Sequence, residues 1–235
     1  MGPRRINVID MYHGNVVRTS DFAVLKANGI FGIIHKASQG LNYIDPQYAL
    51  RRKIAEDAGL LWGAYHFLDN SNPIDQATSF LKASGISEQN SDPILLACDY
   101  ENSPHQPTLQ QAMMFMSYVD RNSPSGVECV LYSGNLIRET LHPQGSGHQD
   151  QSMIAAENFF KLHRLWLAEY GPKEQVPWPW SQPIVKSSDE ATAIAAPGVW
   201  LWQFTETGRL NPLVNNTDGN FFDGTFEELK TRWLS

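Results

Sequence analysis

Apolar residues along this chain gather in short runs, and the stretches between those runs carry helical spacing, so the pattern predicts strands and helices in alternation. The strand-like runs are INVIDM (6–11), FGIIHKAS (31–38), LLWGAYHF (60–67), ILLACDYE (94–101), ECVLYSG (128–134), LWLAEY (165–170) and VWLWQFT (199–205). DGNFF (218–222) makes a shorter eighth. Between them, Asp45 is placed to cap a helix that begins at Pro46 and stops at Gly59, with Leu50, Ile54 and Ala58 on its inner face. Asn72-Pro73 opens a second helix that ends near Gly85. Thr108 caps a third, whose inward stripe is Leu109, Ala112, Met113, Met116 and Val119.

Strands that are apolar at nearly every position are buried on both faces, as in parallel sheets covered by crossover helices. About eight such units in 235 residues predict an α/β chain folded as a single irregular TIM-like β/α barrel, one domain over 1–235 with its core at about 5–234. The segment 171–198 shows no helical pattern and is expected to form loops and short strands, leaving fewer helices in the last third. The polar stretch 142–151 is expected to be an exposed connection.

Composition narrows the function. The chain is 42% hydrophobic with a formal net charge of -7 and carries no Lys/Arg-rich block, which argues against a nucleic-acid surface. No run approaches the roughly 18 to 20 apolar residues of a membrane span, so no membrane insertion is expected. The opening MGPRRINVID lacks the apolar middle of an export signal. Cys98 and Cys129 both lie in apolar runs and read as buried free thiols. Oligomeric state is not legible in the sequence.

The candidate chemistry lies at the strand ends. Residues i and i+2 of a strand share a face, roughly 6.6 Å apart, so Asp99 and Glu101 project together from the end of an apolar run. In a barrel that direction is into the mouth, where sites of this architecture form. Asp10 ends the first run and Asp218 begins the last, and a closed barrel makes those strands neighbours. Four carboxylates from three strands are therefore expected in one cavity. Crowded like charges there hold at least one proton to higher pH, which suits glycoside cleavage.

At these residues the chain resembles the glycoside hydrolase family 25 lysozymes, which are N-acetylmuramidases. VIDMYHGN, GIIHKASQGLNYIDPQY, AGLLWGAYHF, ILLACDYEN, VLYSG, LWLAEY, VWLWQFT and TDGNFFDGT occur in the family's order and cover nearly the whole chain. The resemblance implies hydrolysis of the β-1,4 bond between N-acetylmuramic acid and N-acetylglucosamine in peptidoglycan glycan strands, at the bacterial cell wall, with no metal or organic cofactor. It implies Glu101 as general acid and Asp99 as support for the 2-acetamido group or the developing positive charge. Asp10 and Asp218 would complete the acidic floor. It also places Lys36, Tyr65, Tyr132, Trp202 and Gln203 at the substrate.

Two details stay open on the residues themselves. Five of the seven Trp residues fall between Trp166 and Trp202, and Trp200 and Trp202 read equally as sugar platform or barrel packing. Lys36 reads equally as a substrate contact or as neutralisation of the acids, whereas His66, opposite in direction to Tyr65, reads as a packed, hydrogen-bonded side chain. Tyr12 and Gln39 depart from the family pattern, where Ser and an acidic residue are common, which bears on substrate preference. A chitinase-like barrel glycosidase and a non-catalytic glycan-binding barrel are the rival readings.

Overall fold

The structure is a computed structural model that describes residues 5–86, 93–123, 126–141, 150–170 and 199–234. Trp178, Trp180, the expected loops over 171–198 and nearly all of the 142–151 connection lie outside these residues. Strands are β1 (Val8–Met11), β2 (Gly32–Gln39), β3 (Tyr43–Ile44), β4 (Leu61–Phe67), β5 (Leu95–Asp99), β6 (Val130–Ser133), β7 (Leu165–Ala168), β8 (Val199–Gly208) and β9 (Thr217–Phe221). Helices are α1 (Thr19–Ala27), α2 (Tyr48–Asp57), α3 (Pro73–Ala83), α4 (Leu109–Asn122), α5 (Asn135–Leu141), α6 (Gln151–Lys161) and α7 (Phe226–Trp233).

The sheet runs β1-β9-β8-β7-β6-β5-β4-β2-β3, and pairing of β1 with β2 closes it into an eight-stranded barrel with β3 outside the ring. Strands β1, β2 and β4 to β8 are parallel, but β9 runs antiparallel to both β8 and β1. The ring is thus mixed rather than wholly parallel, an irregular TIM-like barrel as expected. The 209–216 connection is too short for the dozen or more residues of a crossover, so the chain returns as a hairpin.

Two apolar layers follow from the two-residue period of the strands. Val8, Ile34, Leu95, Ala97, Val130 and Trp166 pack inside the ring. Their neighbours Ile9, Ile33, Leu96, Leu131 and Leu167 face outward onto the helices with Phe80, Phe115 and Phe160. α7 plugs the bottom: Trp233 is 1% exposed, donates from Nε1 to the Trp62 carbonyl at 2.7 Å, and packs on Trp200 with ring centroids 5.8 Å apart. Gly32 makes room for that plug, since a Cβ there would stand 2.9 Å from Trp233 and 3.1 Å from the Leu61 carbonyl oxygen. Gly32→Ala is therefore expected to cost about 1–3 kcal/mol, measured by denaturant unfolding, because neither the ring nor the backbone has space to yield.

The helix starts show where local chemistry fixes the chain. Asn72 accepts from the Ile74 and Asp75 amides with Pro73 in the first turn, and Thr108 with Gln111 forms a capping box on α4. α4 buries Ala112, Phe115, Met116 and Val119. For α2 the expectation is corrected. Asp45 accepts from the Gln47 amide in a turn before the helix, which then starts at Tyr48. That later start turns Tyr48, Arg51 and Ala55 inward and leaves Leu50 61% exposed. His66 is fully buried between Ser38 Oγ (2.8 Å) and Gln76 Oε1 (3.0 Å), and burial pushes its imidazole down to about 4. Because Gln76 Oε1 can only accept, Nε2 carries the proton and Ser38 donates to Nδ1. Cys98 and Cys129 are buried and free.

Candidate active site

At the carboxyl ends of the parallel strands the inward positions change from apolar to polar. Asp10, Tyr65, Asp99, Tyr132 and Gln203 stand there on β1, β4, β5, β6 and β8, and with Glu101 and Asp218 they line a cavity of about 210 Å³. β5 ends at Asp99, so Glu101 lies just beyond the strand rather than on it. The ladder nevertheless continues one step, from the Tyr100 amide to the Tyr132 carbonyl at 2.9 Å, and this keeps Glu101 on the side of Asp99. The reversal of β9 brings its first residues to the same rim, where Asp218 pairs in register with Asp10.

Asp10 is the anchor. Its Oδ1 accepts from Gln203 Nε2 at 2.9 Å and from Asn220 Nδ2 at 2.8 Å. Both amides have only one orientation: Gln203 Oε1 accepts from the Tyr132 and Tyr170 hydroxyls at 2.9 and 2.7 Å, and Asn220 Oδ1 accepts from Trp166 Nε1 at 2.6 Å. Three ring donors thus converge through two amides on one carboxylate.

Asp10, Asp99, Glu101 and Asp218 are each held above their ordinary range. Burial pushes Asp10 up to about 6, against the lowering effect of its amide partners. Burial, then the neighbouring Asp10 charge and a hydrogen bond to it, pushes Asp218 up to about 8. Asp99 is raised well above the carboxylate range by burial and then by Glu101. Glu101 is raised by burial, opposed by Lys36. Near neutrality Asp10 is therefore ionised while Asp218 retains the proton it donates to Asp10. The retained protons are spread over several acids rather than confined to Glu101. Asp99 Oδ1 is buried with no hydrogen-bond partner.

Lys36 lies beside the cavity rather than in its wall. Its Nζ donates to Gln39 Oε1 at 3.0 Å and stands 4.8 Å from the Phe67 ring centroid and 5.7 Å from that of Tyr65. Burial lowers its pKa, and the charges of Asp99 and Glu101 oppose that shift. Lys36 and Gln39 line an adjoining groove of about 580 Å³ together with Tyr12 and Tyr43. On the other side, Glu101, Tyr132 and Tyr170 separate the acidic cavity from a groove of about 430 Å³.

Trp202 does not face this space. It is 2% exposed, its Nε1 donates to the Glu169 carbonyl at 2.8 Å, and Gln203, next in the strand, takes the inward direction. Trp200 packs at the barrel bottom. Of the two readings open for Trp200 and Trp202, barrel packing holds for both, and the placement of Trp202 at the substrate is corrected. The cavity's tryptophan is Trp166, whose ring lies 4.4 Å from that of Tyr132. Sequence reasoning also passed over Tyr170, Asn220 and Glu206. Asn220 shares a strand face with Asp218 by simple spacing, and Tyr170 closes the seventh apolar run, so both were open to detection.

The family profile for glycosyl hydrolases family 25 matches residues 9–213. The chain belongs to that family. Among family 25 relatives and similar folds, the autolytic lysozyme of Clostridium acetobutylicum is 25% identical over 212 residues, covering 89% of this chain and 53% of that protein. The chain thus spans about half of that relative's length. The muramidase of Trichobolus zukalii matches in structure with a TM-score of 0.70 at 20% identity, over 97% of this chain and 99% of that one. The bacterial lysozyme of Streptomyces coelicolor gives a TM-score of 0.67 at 22% identity, over 96% and 94%. These two share the irregular barrel of family 25 described above.

Proposed function

We propose that this family 25 chain is a lysozyme-type glycosidase that cleaves the β-1,4 bond between N-acetylmuramic acid and N-acetylglucosamine in peptidoglycan, acting at the bacterial cell wall. The observation that carries this reading is the position of Glu101 on the wall between the acidic cavity and the 430 Å³ groove. A sugar in each space places the glycosidic oxygen between them, within reach of that carboxyl. Glu101, raised by burial, donates its proton to the departing oxygen and then, ionised, takes a proton from the attacking water. Asp99 turns its unpartnered Oδ1 to the acetamido N–H or to positive charge developing at the anomeric carbon. Asp10, held by two amides, supplies fixed negative charge, and Asp218 donates to it. Tyr65 and Tyr132 furnish the aromatic wall, and Trp166 packs behind them with its Nε1 on Asn220. Lys36 tempers the acids and faces the substrate's next segment in the 580 Å³ groove.

Purified peptidoglycan tests this. Loss of turbidity, with muramic acid at the new reducing ends by mass analysis after borohydride reduction, is the expected result. New ends carrying N-acetylglucosamine, cleavage of chitin oligomers alone, or binding without cleavage would each overturn it.

The same groups set a pH dependence. Below about 6 Asp10 takes up a proton and its negative charge is lost; above about 8 Asp218 releases its proton and the donor to Asp10 is lost. kcat/KM is therefore expected to be bell-shaped, with its plateau between those values.

A further inference from the structure

Glu206 has no place in the scheme above, yet it lines the acidic cavity with Gln203. In a regular strand, residues three apart face opposite sides, so Glu206 should point away from a mouth that Gln203 faces. Two register shifts intervene in the β8–β9 pairing, one between Gln203 and Thr205 and one between Thr205 and Gly208. Such irregularities bend a strand and redirect a side chain, and they concentrate beside active sites. Here they return Glu206 to the rim.

We propose that Glu206 is a positioning residue that works through Asp218: its carboxylate, turned to the cavity rim by the two bulges, keeps Asp218 in the form that donates to Asp10. This rests on the glycosidase reading and adds to it a role for a residue outside the family motifs. The groups that act on Asp218 come from five elements. They are Asp10 on β1, Tyr65 on β4, Glu206 on β8, Glu101 after β5 and Tyr170 after β7. Asp10 must stay ionised to hold its amide donors, and Glu101 changes charge during the reaction. Glu206 is solvent-exposed, so its charge costs little desolvation, and the scheme asks no proton of it. A negative charge facing Asp218 makes release of the last proton from the Asp10–Asp218 pair unfavourable, and the amide network around Asp10 keeps its geometry.

A charge series tests this. In kcat/KM profiles on soluble peptidoglycan fragments, Glu206→Gln is expected to move the alkaline limb down by about half a pH unit, the scale of an exposed charge partner. Glu206→Lys should move it further, Glu206→Asp should restore it, and raised salt should shrink every difference. The carboxyl ¹³C resonance of Asp218, titrated in the same variants without substrate, should shift its midpoint in the same order. An Asp218 midpoint indifferent to the charge at 206 overturns the proposal. An ordered midpoint in a protein that leaves peptidoglycan intact instead sinks the muramidase reading and leaves the Glu206–Asp218 coupling standing.

Discussion

Glu101→Gln is expected to lower kcat/KM on peptidoglycan by about 10²- to 10⁴-fold, the usual contribution of a positioned proton donor. The amide keeps the size of the side chain and its acceptor oxygen but has no proton to give the departing sugar. The amide also replaces a carboxyl whose ionised form burial disfavours, so folding should be unharmed. Activity and melting temperature measured on one preparation check both halves. Activity near that of the wild type would return the acid role to Asp218 or Asp99, the cavity's other raised carboxyls.

Asp99→Asn is expected to lose about 10²-fold in kcat while becoming more stable at alkaline pH. Asp99 is 5% exposed and its Oδ1 has no partner, an arrangement that costs folding energy unless a ligand completes it. Its carboxyl is held well above its unfolded value by burial and then by Glu101. The stability it contributes is therefore full at acid pH and erodes as pH rises toward the folded-state value. A neutral amide escapes that erosion. The variant's melting temperature should exceed the wild type's by about 3 °C or more at pH 8, and the gap should close toward pH 4. Loss of activity together with loss of stability would mark Asp99 as structural.

The parts of this fold that follow from local rules could be read from the residues. Seven apolar runs became the seven parallel strands of the ring, and Thr108 and Asn72 cap helices as their chemistry requires. The acids gathered because period-two geometry and barrel closure leave them little choice, and Asp10 and Asp218 stand directly opposite each other. What escaped depends on contacts distant in sequence or on breaks in periodicity. Asp45 looked like a helix cap, but its second oxygen is engaged by the amide and ring of His13, which holds it in the turn before α2. Trp202 is open between sugar platform and packing on the residues, and resemblance alone sets it at the substrate; its neighbour Gln203 has the inward position, and nothing local says which of the two faces in. Glu206 was invisible because regular alternation sends it the wrong way, and bulges leave no dependable mark in sequence.

The reversed ninth strand has a consequence for how the cleft varies in width. After β1, β4, β5 and β6 the chain leaves the rim into α1, α3, α4 and α5, so lengthening those stretches disturbs an outer helix. Between β8 and β9 the rim is a single arm whose two legs bond to each other, joined at 209–216. Residues gained or lost at that tip would raise or lower one bank of the substrate channel while the staves of the barrel keep their register.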